Sequence, residues 1–139
     1  MPDAREHNSN RPLSGGAAIP KKVYDLSERA ALFGEAIIKF AKRVPVNLVT
    51  SPLITQLVKA GTSVGANYEE ANDAESKRDF HHKIGICRKE FRETKFFIRM
   101  MVAAVPEMRD DVASLYQEVK ELNLIFGSMR PKKTAVDRP

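Results

Sequence analysis

Between Asp25 and Gly127 the apolar residues recur every three or four positions, in four blocks separated by proline or short polar runs. That spacing is the period of one face of an α-helix, and no block shows the alternation of a half-buried strand. In the first block Leu26, Ala30, Phe33, Ile37, Phe40 and Val44 form the stripe. Asp25 stands at the N-cap with Glu28 three residues on, and Pro45 closes the run. The second opens at Ser51, read as the N-cap, with Pro52 at the first helical position, and carries Leu53, Leu57, Ala60, Val64 and Ala71. The third opens at Ser76 with Asp79 three residues on, and runs through Phe80, Ile84, Cys87, Phe91, Ile98 and Met101 to Pro106. The fourth starts near Asp110 and presents Val112, Leu115, Val119, Leu122 and Phe126, then Gly127, a residue suited to a helix stop. The first and third read as the long helices. Four amphipathic helices on short loops predict an all-α, antiparallel up-down-up-down four-helix bundle.

With 139 residues and 42% hydrophobic composition, the chain can build one core without disulfides or metal. The domain is expected over residues 22–128, between a flexible N-terminal tail, 1–21, and a flexible basic tail, 129–139. A single cysteine, Cys87, allows no internal disulfide and points to a reducing compartment; on the core stripe it reads as a small buried hydrophobe. The first twenty residues lack a basic start followed by an apolar run, and no stretch reaches membrane-spanning length. The expected location is the cytoplasm.

Helix two contains two oddities. Ile54, Val58, Gly61, Gly65 and Tyr68 make a second apolar stripe beside the core stripe. Each interior glycine costs about 1 kcal/mol relative to alanine, so a close neighbour must offset the pair. That neighbour is either another helix of the same chain or a second subunit. Asn67 falls on the core stripe itself, and Glu70, Glu90 and Glu93 are the carboxylates within its reach. A structural polar network of Asn67, Glu70, Glu90 and Glu93 is the expectation; the rival is a paired-carboxylate acid/base site, for which no nucleophile accompanies the pair.

A di-iron centre in such a bundle needs two Glu-x-x-His units. The chain has three histidines, His7 in the tail and His81 and His82 adjacent, so the metal reading fails. No phosphate-cradling loop follows the glycines, and no catalytic residue or cofactor is expected.

Charge is the strongest functional hint. Residues 77–105 carry eight basic and three acidic side chains. Lys77, His81, Arg88, Arg92, Lys95 and Arg99 fall within one narrow band, about 33 Å long on a helix. Such a row could follow a phosphate backbone, or it could be a solvated face or pair with the acidic second or fourth helix. No aromatic platform is evident beside it, so binding to nucleic acid should be backbone-directed and salt-sensitive.

The order "YDLSERAALFGEAIIKFAK", "SPLITQLVKAGTSVGANYEEA", "SKRDFHHKIGICRKEFRET" resembles the four-helix-bundle family of proteins encoded in 23S rRNA intervening sequences. The accessory variability determinant of diversity-generating retroelements is similar to the same family. The resemblance spans about residues 22–127. It implies a ring-like homopentamer and, for the retroelement branch, a basic surface that engages RNA and a reverse transcriptase. It implies no settled activity for most members. It also favours a subunit interface for Gly61, Gly65 and Tyr68. The resulting expectation is a non-catalytic homo-oligomer whose partner is RNA or an RNA-bound protein; the alternative is a protein assembly scaffold that binds no nucleic acid.

Overall fold

The computed structural model describes residues 25–129. The tails expected at 1–21 and 129–139 lie outside those residues, apart from Met129, which packs partly against the core. The described residues form α1 (Leu26–Arg43), α2 (Thr50–Asn72), α3 (Lys77–Ala104), a 3-10 segment (Pro106–Val112) and α4 (Ala113–Gly127), with no strand among them. The architecture is all-helical and consistent with a four-helix bundle. At 23 residues α2 is longer than the 18-residue α1, so the two long helices are the second and third rather than the first and third.

Helix starts follow local hydrogen bonding. Asp25 caps α1, its Oδ1 accepting from the backbone N–H of Ser27 at 2.9 Å. Ser76 caps α3, its hydroxyl oxygen accepting from the N–H of Asp79 at 3.0 Å. Ser51 does not cap α2 as its position before Pro52 predicts. Asn47 does that work: its Oδ1 accepts from the N–H groups of Val49 and Thr50, while the Asn47 N–H donates back to Thr50 Oγ1, each at 2.9 Å. That reciprocal pair satisfies donors a turn earlier, so the helix begins at Thr50. Pro106, with no N–H to donate, ends the α3 ladder, and the chain tightens into the 3-10 segment before α4 starts at Ala113. Gly127 is the last residue of α4, yet no described glycine has positive φ. Its lack of a side chain leaves room for the Arg88 guanidinium, which would stand 3.4 Å from a Cβ.

The predicted stripes make the core. Phe33, Ile37, Phe40, Leu57, Ile84, Phe91, Ile98, Leu115, Leu122 and Phe126 are all buried, whereas Leu26, Leu53 and Phe80 are only partly so. Full burial of each large side chain contributes about 1.5–3 kcal/mol. An aromatic chain crosses the interior from Phe33 to Phe91, Phe126 and Tyr68, with centroids 6.3, 5.2 and 5.1 Å apart.

Helix α1 meets α2 closely. A Cβ on Gly61 would stand 2.8 Å from Ile37 Cγ1, Gly65 lies against the backbone of Ala30, and Gly34 faces Thr62. Within the chain, the close neighbour that the glycines make room for is α1. Tyr68 is half-buried, with its ring centroid 5.1 Å from that of Phe126. Farther along, the Asn72 amide donates to Ser27 Oγ at 3.1 Å, so residue numbers rise along α2 as they fall along α1. The α2–α3 pair shows the same sense in the Lys83–Glu70 and Cys87–Val64 contacts.

Candidate nucleic-acid interface

The basic band does not stay together as one row. Lys77 is exposed at the start of α3. His81 is half-buried with its ring against Phe80 and its Nδ1 buried without a hydrogen-bond partner. Arg88 is half-buried over α4, its Nε donating to Asn123 Oδ1 at 3.3 Å. Of these upper residues, Arg88 is tied to α4 and Lys77 stays on the surface. The remaining three, Arg92, Lys95 and Arg99, follow one another at helical spacing and line an open groove of about 820 Å³ between α3 and α4.

Two neighbours complete that groove and were not read from the sequence. Arg109 reaches it from the 3-10 segment, where burial of Met108 and Val112 fixes which side faces out. Tyr116, one turn into α4, forms the opposite wall. Lys95 Nζ and Lys120 Nζ each stand 5.8 Å from the Tyr116 ring centroid, a cation–π distance. Phe96 is 53% exposed and Tyr116 is 40% exposed, so an aromatic surface accompanies the cations, contrary to expectation. Among the described residues that line the groove none is acidic. The signal for Phe96 was present in "KFF", where the second phenylalanine takes the inward half and the first is left outside.

The family described as 23S rRNA-intervening sequence protein matches residues 22–128, most of the chain. The chain belongs to that family. A solved structure from Bacteroides thetaiotaomicron, described as a protein with unknown function from the S23 ribosomal protein family, superposes with a TM-score of 0.67. It is 26% identical, and the match covers 77% of this chain and 99% of that one. None of the curated proteins matches this chain.

In this 23S rRNA-intervening sequence family member the predicted polar network does not form. Asn67 is half-buried and donates to the Ser63 carbonyl of its own helix at 2.9 Å. Glu70 accepts from Lys83 at 2.6 Å, tying α2 to α3 at an exposed position. Glu93 is exposed, while Glu90 is half-buried. Burial, and then the Glu93 carboxylate, push the Glu90 pKa up, against the opposing pull of Lys89 and Lys59. Cys87 is fully buried, and desolvation pushes its thiol up to about 12, which leaves it no reactive thiolate.

The buried ion pair of this family member lies elsewhere. Arg29 of α1 donates to both carboxylate oxygens of Glu118 in α4, at 2.8 and 2.9 Å, and again to Glu121 at 2.9 Å. Both Arg29 and Glu118 are buried, and the hydrogen bond to Glu118 raises the Arg29 pKa. A charge on an apolar stripe was the available signal. Arg29 stands three residues after Leu26 and four before Phe33, and Glu118 three after Leu115 and four before Leu122. No described helix is long and apolar enough to cross a membrane.

Proposed function

We propose that this chain is a non-catalytic, cytoplasmic protein that offers a basic groove to RNA or to an RNA-bound protein partner. The observation that carries the reading is the groove itself, with four cations, no acidic lining residue and exposed aromatic rings. A groove of that charge concentrates polyanions and loses them as salt rises. The family's printed description, which links it to rRNA intervening sequences, agrees with an RNA partner. The opposed numbering of contacts between successive helices supports an up-down-up-down course, and the reading includes a ring-like homopentamer, which would place several grooves on one particle.

Filter binding of a structured RNA at two salt concentrations tests this. Four phosphate contacts per protomer on unpaired RNA predict an affinity loss of about 50-fold between about 50 and 200 mM salt. Binding insensitive to salt, or unaffected by Arg92→Glu with Arg99→Glu, overturns the RNA reading. Light scattering should return five times the 15.6 kDa chain mass.

One observation favours the scaffold alternative. The α1–α2 turn exposes Val46, Leu48 and Val49, with Leu48 96% exposed. Apolar side chains gathered on one turn suit a protein contact. If Leu48→Ser lowers the particle mass while RNA is never bound, the scaffold reading replaces the first.

A further inference from the structure

We infer that the groove takes an unpaired stretch of RNA, its bases against Phe96 and Tyr116 and its phosphates on Arg92, Lys95, Arg99 and Arg109. The inference rests on the RNA reading above and narrows it from polyanion to single strand. A purely electrostatic duplex site needs only cations on a solvated surface. This groove instead has a mostly apolar floor, including Val102 and Val112, with the cations around it. A duplex keeps its base faces stacked inside and presents sugars and phosphates, which gain nothing from an apolar floor. An unpaired strand offers both surfaces at once, a flat base and a charged backbone.

The aromatic residues are also held in place. The Phe96 ring stands at 84° to that of Phe97, centroids 5.2 Å apart, with more than half of the residue open to solvent. Lys95 of α3 and Lys120 of α4 each hold an ammonium 5.8 Å from the Tyr116 ring centroid, so a base beside the ring has ammonium groups close to its phosphates. From Arg92 to Arg99 the helix rises about 10 Å, enough for a strand of a few nucleotides to run along it rather than end on it. An acidic protein segment could satisfy the cations, but its side chains would leave these flat rings without a matching partner.

Fluorescence anisotropy with the full chain tests the inference, using a labelled 12-nucleotide RNA alone and annealed to its complement. The single strand should bind about tenfold tighter than the duplex. Phe96→Ala should weaken the single strand about tenfold while leaving its salt dependence and the duplex affinity unchanged, and Phe96→Tyr should retain binding. Arg99→Gln should weaken both RNAs and make the salt slope shallower by about 0.7 for the single strand. Helical circular dichroism confirms that each variant is folded. If both RNAs bind equally and only Arg99→Gln matters, the stacking inference falls and the RNA reading stands. If neither RNA binds, both fall. Binding of a labelled acidic amphipathic peptide where neither RNA binds assigns the groove to a protein and overturns the inference.

Discussion

Helix α4 has two flanks of opposite chemistry. Toward α1 it presents Glu118, buried, and Glu121, partly exposed, both hydrogen-bonded to the buried Arg29. Toward α3 it presents Tyr116 beneath lysines and a groove whose arginines face no lining carboxylate. Arginine therefore has two roles on the two sides of one helix, Arg29 from α1 and Arg92 and Arg99 from α3. Where arginine is buried with its acids, its charge is used up in fixing how two helices meet. Where the lining acids are missing, the cations face no carboxylate within the groove. An ion pair that is sealed and a cation cluster that is open should respond oppositely to mutation.

The largest effect is expected on the sealed flank. Glu118→Ala leaves Arg29 buried with its main partner gone and should destabilise the fold by about 3–5 kcal/mol, read from urea unfolding. Replacing both together, Arg29→Met with Glu118→Leu, should recover most of that loss, because the desolvation cost disappears along with the attraction. A single-variant cost below about 1 kcal/mol would mean that water reaches the pair and that the two flanks are not different in kind.

A second contrast of closed and open surface concerns glycine. Ile37 is fully buried, so it has nowhere to go when a Cβ at Gly61 arrives 2.8 Å from its Cγ1. Gly61→Ala should cost about 1–3 kcal/mol through overpacking. Gly85, exposed on α3, has no atom within 4 Å of its added Cβ, and Gly85→Ala should stabilise by about 1 kcal/mol through helix propensity. Thermal melts of the two variants should move in opposite directions. If Gly61→Ala instead changes the particle mass without changing monomer stability, its role is between subunits.

What could be read in advance divides along the same line. The core stripes and the capping of α1 and α3 were legible because period and cap chemistry are local. The glycine pair announced that something approaches closely, but spacing within one helix does not say whose backbone arrives; α1 supplied it. Asn67 misled because a side chain at the stripe's edge can fold back on its own helix, as its bond to the Ser63 carbonyl does. Arg109 was illegible because its direction depends on the 3-10 turn, and that turn is set by Pro106 together with burial of Met108 and Val112. The Arg29–Glu118 pair could have been suspected from opposite charges on two apolar stripes. Periodicity alone gives such residues to solvent, and only tertiary pairing reverses that.

Glu90 gives a smaller and pH-dependent comparison, as a carboxyl held halfway between the two environments. Its folded-state pKa is raised, chiefly by burial, so the ionised form opposes folding. The penalty is absent below the unfolded-state value, grows as pH rises through the window between the two, and is complete above the folded-state value. Glu90→Gln should therefore be more stable than the parent protein at pH 7, by less than about 1 kcal/mol given the partial exposure. The difference should vanish below about pH 4. A stability gap that widens on acidification would show that Lys59 and Lys89 outweigh burial.

The smallest stability effect is expected in the groove, and its smallness is the point of the comparison. Arg99 is exposed, and the charges near it on α3, Arg92 and Lys95, have its own sign. Removing it as Arg99→Gln takes away no buried contact and relieves some repulsion, so unfolding free energy should change by no more than about 0.5 kcal/mol. The sign should favour the variant at low salt, where repulsion between like charges reaches farther, and the difference should fade as salt screens it. Arg29→Gln, an identical chemical change on the other flank of α4, should cost several times more and depend little on salt, because a buried pair is poorly screened. Comparable losses at the two arginines would place Arg99 in the packing of α3 on α4. A near-zero change at Arg99 leaves its charge without a use inside the fold, which is what the proposed RNA groove requires of it.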